Sequence, residues 1–159
     1  MTQYNIIAES QEYTVVAEFD HVATPAEAYQ SEADLEKEFI RLLGEQGYEY
    51  LPIHKEADLI FNLRDQLEKL NHYHFTDNEW EHFFNECIAN KNDDIVAKTA
   101  KIQDDYIQVL KRDTGESQNI KLIDKDNIHN NFVQVINQYV EEGGNYDTRY
   151  DVSILVNGL

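Results

Sequence analysis

Asp151 is the residue of this sequence that most needs a chemical reason. It stands inside Arg149-Tyr150-Asp151-Val152-Ser153-Ile154-Leu155-Val156-Asn157-Gly158-Leu159. From Tyr150 to Val156 the pattern is that of a strand. Tyr150, Val152, Ile154 and Val156 fall on one face; Asp151, Ser153 and Leu155 fall on the other. Asn157-Gly158 suits a tight hairpin turn, because both residues tolerate positive φ. A hairpin needs a second strand, and the sequence stops one residue past the turn. It therefore reads as a piece cut in the middle of a hairpin, with Asp151 belonging to a site whose other members lie on the missing strand. Two adjacent strands can place an Asp and a Glu within reach of one Mg²⁺, which takes oxygen ligands and keeps several waters. Such an ion activates a water and shields the charge developing on a cleaved phosphodiester. The plain alternative is an acidic residue on a solvated strand face.

Glu32 is the second candidate. Ser31-Glu32-Ala33-Asp34 is a capping box, with Ser31 as N-cap and Asp34 standing in for Glu at the third helical position. Leu35, Phe39, Leu42 and Leu43 follow at helical spacing. At about 100° per residue, Asp34, Lys37, Glu38, Arg41 and Glu45 share one side. Glu32 falls within roughly 30° of the centre of the apolar stripe, with Glu36 one turn on. A carboxylate on that side either complements the helix dipole and reaches solvent at the helix end, or points into a metal or proton site beside a sheet.

Other groups match no known chemistry. His72, His74, His82 and Cys87 lack the spacing of a zinc site. Asp124-Lys125-Asp126 opens like a calcium loop but lacks the glycine and the glutamate that complete one. Asp104-Asp105 sits at a strand start and suits a solvated position. No Gly-rich phosphate loop or nucleophile elbow occurs.

The elements that must position these residues begin with two short apolar runs, Tyr4 to Ala8 and Tyr13 to Phe19, read as an N-terminal strand or extended arm. Thr24 to Gln30 is a connection. The Ser31-capped helix stops at Gly47, and Tyr48 to Ile53 is a short apolar run ended near Pro52. Residues 56–102 read as a helical excursion packed on the sheet. Leu59, Leu63, Leu67 and Leu70 make one helix face. A capping box at Thr76-Asp77-Asn78-Glu79 opens a second helix, and Ile95 to Ile102 forms a third. A hairpin follows, Tyr106 to Leu110 and Ile120 to Ile123 flanking Asp113-Thr114-Gly115-Glu116. Phe132 to Val140 fits helix and strand alike.

Composition bounds the rest. A chain of 159 residues makes about one domain. There is no run of about 18 apolar residues and no basic, apolar N-terminal leader. Cys87 is the single cysteine, which suits a reducing cytoplasm. Thirty-one acids against thirteen bases give a net charge of −18. A DNA-binding face normally clusters Lys and Arg, so this piece by itself should bind DNA weakly. One class of reading is thus an acidic, non-catalytic interaction protein or DNA mimic that occupies a restriction enzyme or a DNA-binding partner.

Tyr29-Gln30-Ser31-Glu32-Ala33-Asp34-Leu35-Glu36, together with the strand from Arg149 to Leu159, closely resembles the N-terminal nuclease domain of the restriction (R) subunit of type I restriction enzymes. The likeness runs from about residue 4 to the end, so that residues 1–159 would be an incomplete part of that endonuclease domain. The resemblance implies an α/β (α+β) fold of the PD-(D/E)xK nuclease type, a mixed sheet flanked by helices, and makes Phe132 to Val140 a strand. It implies a parent that cleaves unmodified double-stranded DNA with Mg²⁺ after ATP-driven translocation, in a complex with methyltransferase (M) and specificity (S) subunits. Asp151 corresponds to the family's metal-binding Asp, and Glu32 to an acidic position near that site. The usual Pro before the Asp is Tyr150 here, which leaves the ligand position untouched. The family's Glu-Leu-Lys strand and its motor lie beyond Leu159.

Overall fold

The computed structural model describes residues 5–9, 15–18, 31–141 and 148–159. The chain divides into two compact units, Met1–Leu35 and Glu36–Leu159. In the first, β1 (Asn5–Glu9) pairs antiparallel with β2 (Val15–Glu18), with an irregularity in register between Ile6 and Ala8. The two apolar runs of the N-terminus are therefore a hairpin. The connection expected at Thr24 to Gln30 lies outside the described residues, as does Gly143-Gly144.

Helix α1 (Glu32–Glu45) starts where its cap predicts. The Ser31 hydroxyl accepts from the Asp34 N–H at 3.2 Å and donates to the Asp34 carboxylate at 2.6 Å. At the other end Gly47 takes φ +94°. The Tyr48 N–H reaches the Leu43 carbonyl and the Gly47 N–H that of Gly44, the paired bonds of a Schellman stop. The expected apolar stripe is a correction. Leu43 is buried, but Leu35, Phe39 and Leu42 are 55%, 46% and 41% exposed. Amphipathic spacing shows which face is apolar; it does not supply a partner element to cover it.

The second unit holds a mixed sheet of order β3-β6-β7. Strand β3 keeps only Glu49–Tyr50 of the Tyr48–Ile53 run, because Pro52 has no N–H to give a ladder. It runs parallel to β6 (Val133–Glu141), which pairs antiparallel with β7 (Thr148–Val156). The ambiguous run is thus a strand: pairing on both sides satisfies its backbone, which periodicity alone could not foresee.

Helix α2 (Glu56–Asn71) bridges two cores. Its Leu59 packs on the cluster of Ile53, Ile136 and Leu155 under the sheet. Its Leu63 and Leu67 enter a larger cluster with Phe75, Trp80, Phe83, Leu110, Ile120 and Leu122. Helix α3 (Asp77–Phe83) opens on a complete capping box between Thr76 and Glu79 and runs into a π turn, Phe84–Ile88. Helix α4 (Ile95–Gln103) leads into the hairpin of β4 (Ile107–Lys111) and β5 (Ser117–Lys121). The helical excursion packs mostly on this hairpin; only α2 also spans to the sheet. Among the described residues no helix is long and apolar enough to cross a membrane.

Candidate functional site

The C-terminal end of β7 is pinned from several directions. Asn157 and Gly158 have φ of +55° and +82°, both left-handed as a two-residue hairpin turn requires. Val156 and Leu159 exchange both backbone hydrogen bonds across it, at 3.0 and 3.1 Å. The Asn157 side chain is fully buried. Its Oδ1 accepts from the Phe132 N–H at 2.8 Å, and its Nδ2 donates to the Leu122 carbonyl at 3.0 Å and to Asn131 Oδ1 at 2.8 Å. Gly158 lies so close to α2 that an added Cβ would stand 2.6 Å from the Leu63 Cα.

Leu155 is buried in the sheet core and Ser153, on the same face, is half-buried; Asp151, next along that face, is exposed. The ribbon therefore outruns its cover, and the carboxylate stands where the apolar face meets solvent. The register pairs Asn137 with Val152 and Tyr139 with Tyr150, so Gln138 sits opposite Asp151. Gln138 has φ +55°. His72, at the α2 stop, and Asn157 share that conformation among described non-glycine residues, and each has a cap or turn to account for it. Gln138 is in mid-strand, where such a backbone costs about 1–3 kcal/mol.

The neighbouring side chains depart from alternation at the same place. Successive strand residues normally point to opposite faces. Here Asn137 Nδ2 donates to Glu36 Oε1 at 2.6 Å and Gln138 Nε2 donates to Glu36 Oε2 at 2.5 Å. Tyr139 then packs against the cluster that holds Ile136, where strict alternation would have sent Gln138. The pleat changes phase at Gln138. On the other side of Asn137, the Tyr50 hydroxyl donates to its Oδ1 at 2.8 Å. The α1 carboxylate that reaches the β6–β7 ribbon is Glu36. Glu36 lies one turn on from Glu32, at i and i+4 on the same helix face.

Glu32 is exposed in the first turn of α1, in the first unit, whereas Asp151 is in the second. The side of the helix it shares with Leu35 is itself exposed. Among the described residues no three His, Cys, Asp or Glu side chains converge to hold a metal. An exposed carboxylate oxygen such as that of Asp151 is the donor type that hard cations take. Mg²⁺ is commonly held by one or two carboxylates, with waters and substrate phosphates filling the remaining positions.

The remaining titratable groups are structural. Asp124 is a loop anchor: its carboxylate accepts from Asn130 Nδ2 and from the Asn127 and Asp126 N–H groups, which hold it below the usual carboxylate range. Burial pushes the Cys87 thiol up, against the needs of a nucleophile. His74 pairs with Glu68 at 2.8 Å. Burial would raise Glu79, but the Thr76 N–H, the Tyr73 hydroxyl and the Asp113 N–H outweigh it and lower it.

Comparison with known proteins gives one consistent result. The family described as "Type I restriction enzyme R protein N terminus" matches residues 29–159. The chain is 44% identical over 154 residues to the endonuclease subunit of type I restriction enzyme EcoprrI from Escherichia coli, spanning 96% of this chain and 49% of that protein. It is 35% identical over 136 residues to the SsaAORF53P endonuclease subunit of Staphylococcus saprophyticus, spanning 82% of this chain and 14% of the other. A Staphylococcus aureus endonuclease subunit, SauMSSORF170P, is 34% identical over 137 residues. The chain thus spans about half the length of the E. coli relative and far less of the staphylococcal ones.

Proposed function

This chain belongs to the family of type I restriction enzyme R protein N-termini, and from that premise we propose that it is the nuclease portion of such an R subunit. The parent would cleave unmodified double-stranded DNA with Mg²⁺ after ATP-dependent translocation, in complex with M and S subunits. The fold would be of the PD-(D/E)xK type. Asp151 would hold the ion and Glu32 would assist, with the Glu and Lys supplied by the strand that the family continues beyond Leu159. When bound, the ion would activate water and neutralise charge on the cleaved phosphodiester.

The observation that carries this reading is the β6–β7 ribbon. It presents Asp151 to solvent on an otherwise covered face, and its closing turn sends the chain back beside β7. A returning strand there can bring further ligands alongside Asp151, as adjacent strands do. The test is Asp151→Ala in the full-length subunit assembled with M and S. DNA cleavage should be abolished while ATP hydrolysis persists. Cleavage retained by that variant rejects the assignment.

A further inference from the structure

We propose that the outward face of the β4–β5 hairpin is a contact surface for the phosphate backbone of duplex DNA, with Lys111 and Lys121 as its phosphate-binding side chains. This deepens the reading of the chain as part of a DNA-cleaving subunit and rests on it for the ligand. It does not depend on which residue holds the metal.

The two strands form a sheet of their own, and its faces differ. Leu110 and Ile120 point inward to the larger core and are 2% and 0% exposed. On the other face the register brings together Ile107 with Lys121, Val109 with Asn119 and Lys111 with Ser117. Ile107, Val109, Lys111, Ser117 and Asn119 are exposed. None of the residues on this face is acidic, in a chain of thirty-one acids and thirteen bases. Most of such a surface repels a polyanion, which can approach where acids are missing.

The acids nearest in sequence are engaged elsewhere. Asp113 accepts from the Thr76 hydroxyl and the Asn78 amide, and Glu116 pairs with Arg112 at 2.9 Å. Lys111 has no ion pair among the described residues. Lys121 stands 3.6 Å from Asp124 and 3.7 Å from Asp126, a loose surface pairing that a phosphate can displace. Asp124 is itself committed to Asn130 and to loop N–H groups.

The face is also held in place. Asn71 accepts from the Lys121 N–H at 2.7 Å and donates to the Lys121 carbonyl at 2.9 Å, tying that end of β5 to α2. The cross-strand pairs that carry the two lysines lie four residues apart along the ribbon, about 14 Å at the rise of a strand. Two ammonium groups spread along an open face suit successive phosphates of an extended polyanion. Ser117 and Asn119 add neutral donors of the kind that also reach phosphate oxygens.

The test uses the full-length subunit and a duplex of arbitrary sequence, without Mg²⁺ or ATP. Binding is followed by fluorescence anisotropy across a salt series. Lys111→Gln and Lys121→Gln should each lower the slope of log affinity against log salt concentration by about one, and the double variant by about two. Lys111→Arg and Lys121→Arg should keep the parent's slope.

An unchanged slope in the double variant overturns the proposal, as does a slope that moves for only one of the two lysines. So does a loss of affinity that leaves the salt lines parallel, which would mark a structural effect. An unchanged slope with weakened assembly with M and S would give this face to a protein partner instead. Asp151→Ala separates the two readings, since it should keep the parent's slope while cleavage is lost. If it cleaves normally, the metal assignment has failed and the slopes of the lysine variants still decide the contact. If it loses cleavage while the lysine variants keep the parent's slope, only the contact surface has failed.

Discussion

Around Leu67 and Phe83, α2 ends on a left-handed cap at His72, α3 opens on a complete capping box, and the buried carboxylate of Glu79 accepts from three donors. Along β6 and β7 the opposite holds. A three-residue core supports the sheet, Ile154 is 47% exposed, a left-handed glutamine interrupts the ladder, and an acid stands unburied within β7. The first region satisfies each local rule in turn. The second departs from several of them around a single residue. Backbone strain persists only where the surrounding structure over-determines it, so the stability that tolerates it comes from elsewhere in the unit.

That contrast breaks or sharpens under substitution. The largest stability effect should come from Phe83→Ala, which empties the centre of the aromatic cluster with Phe75 and Trp80. It should cost about 3–5 kcal/mol in denaturant unfolding, whereas Asp151→Ala should stay within about 0.5 kcal/mol of the parent. If both cost the same, the division between a supporting region and a thinly covered ribbon is wrong. Gly158→Ala comes next, with an expected loss of about 2 kcal/mol or more, since it strains a positive φ and drives a Cβ into the backbone of α2. A neutral result would mean that the closing turn is not fastened to the larger core.

The smallest effect is a pH dependence. The folded Glu79 carboxyl lies below its usual value. Its contribution is therefore fully present above the unfolded value of about 4.3 and is lost as pH falls through the lower folded value. Thermal melts should be level from neutral pH to about 5 and fall below about 4, with Glu79→Gln less sensitive over that window. An unaltered acid profile in that variant would remove Glu79 from the account of the supporting region.

Much of the fold was legible because its signals are local. The Thr76-Glu79 box, the Gly47 stop, the β4–β5 turn and the Asn157-Gly158 turn each depend on a few consecutive residues, and each formed as read. Of the candidate residues, Asp151 lies in the strand read from the sequence, and the α1 carboxylate bonded to β6 is Glu36. Phe132 to Val140 was undecidable by periodicity because it is covered on more than one side, and Gln138 shifts its phase midway.

By itself the sequence determined the caps, the turns, the family and the strand that carries Asp151, because φ preferences, side-chain caps and residue alternation act over a handful of positions. Only the tertiary structure decided that Glu36 would meet Asn137, 101 positions away, and that the apolar stripe of α1 would be left largely open. Contacts of that range depend on which faces the sheet and helices bring together, and local pattern constrains that only weakly. Glu36 holds the amides of Asn137 and Gln138 from across the fold, at the strand position where the backbone is left-handed.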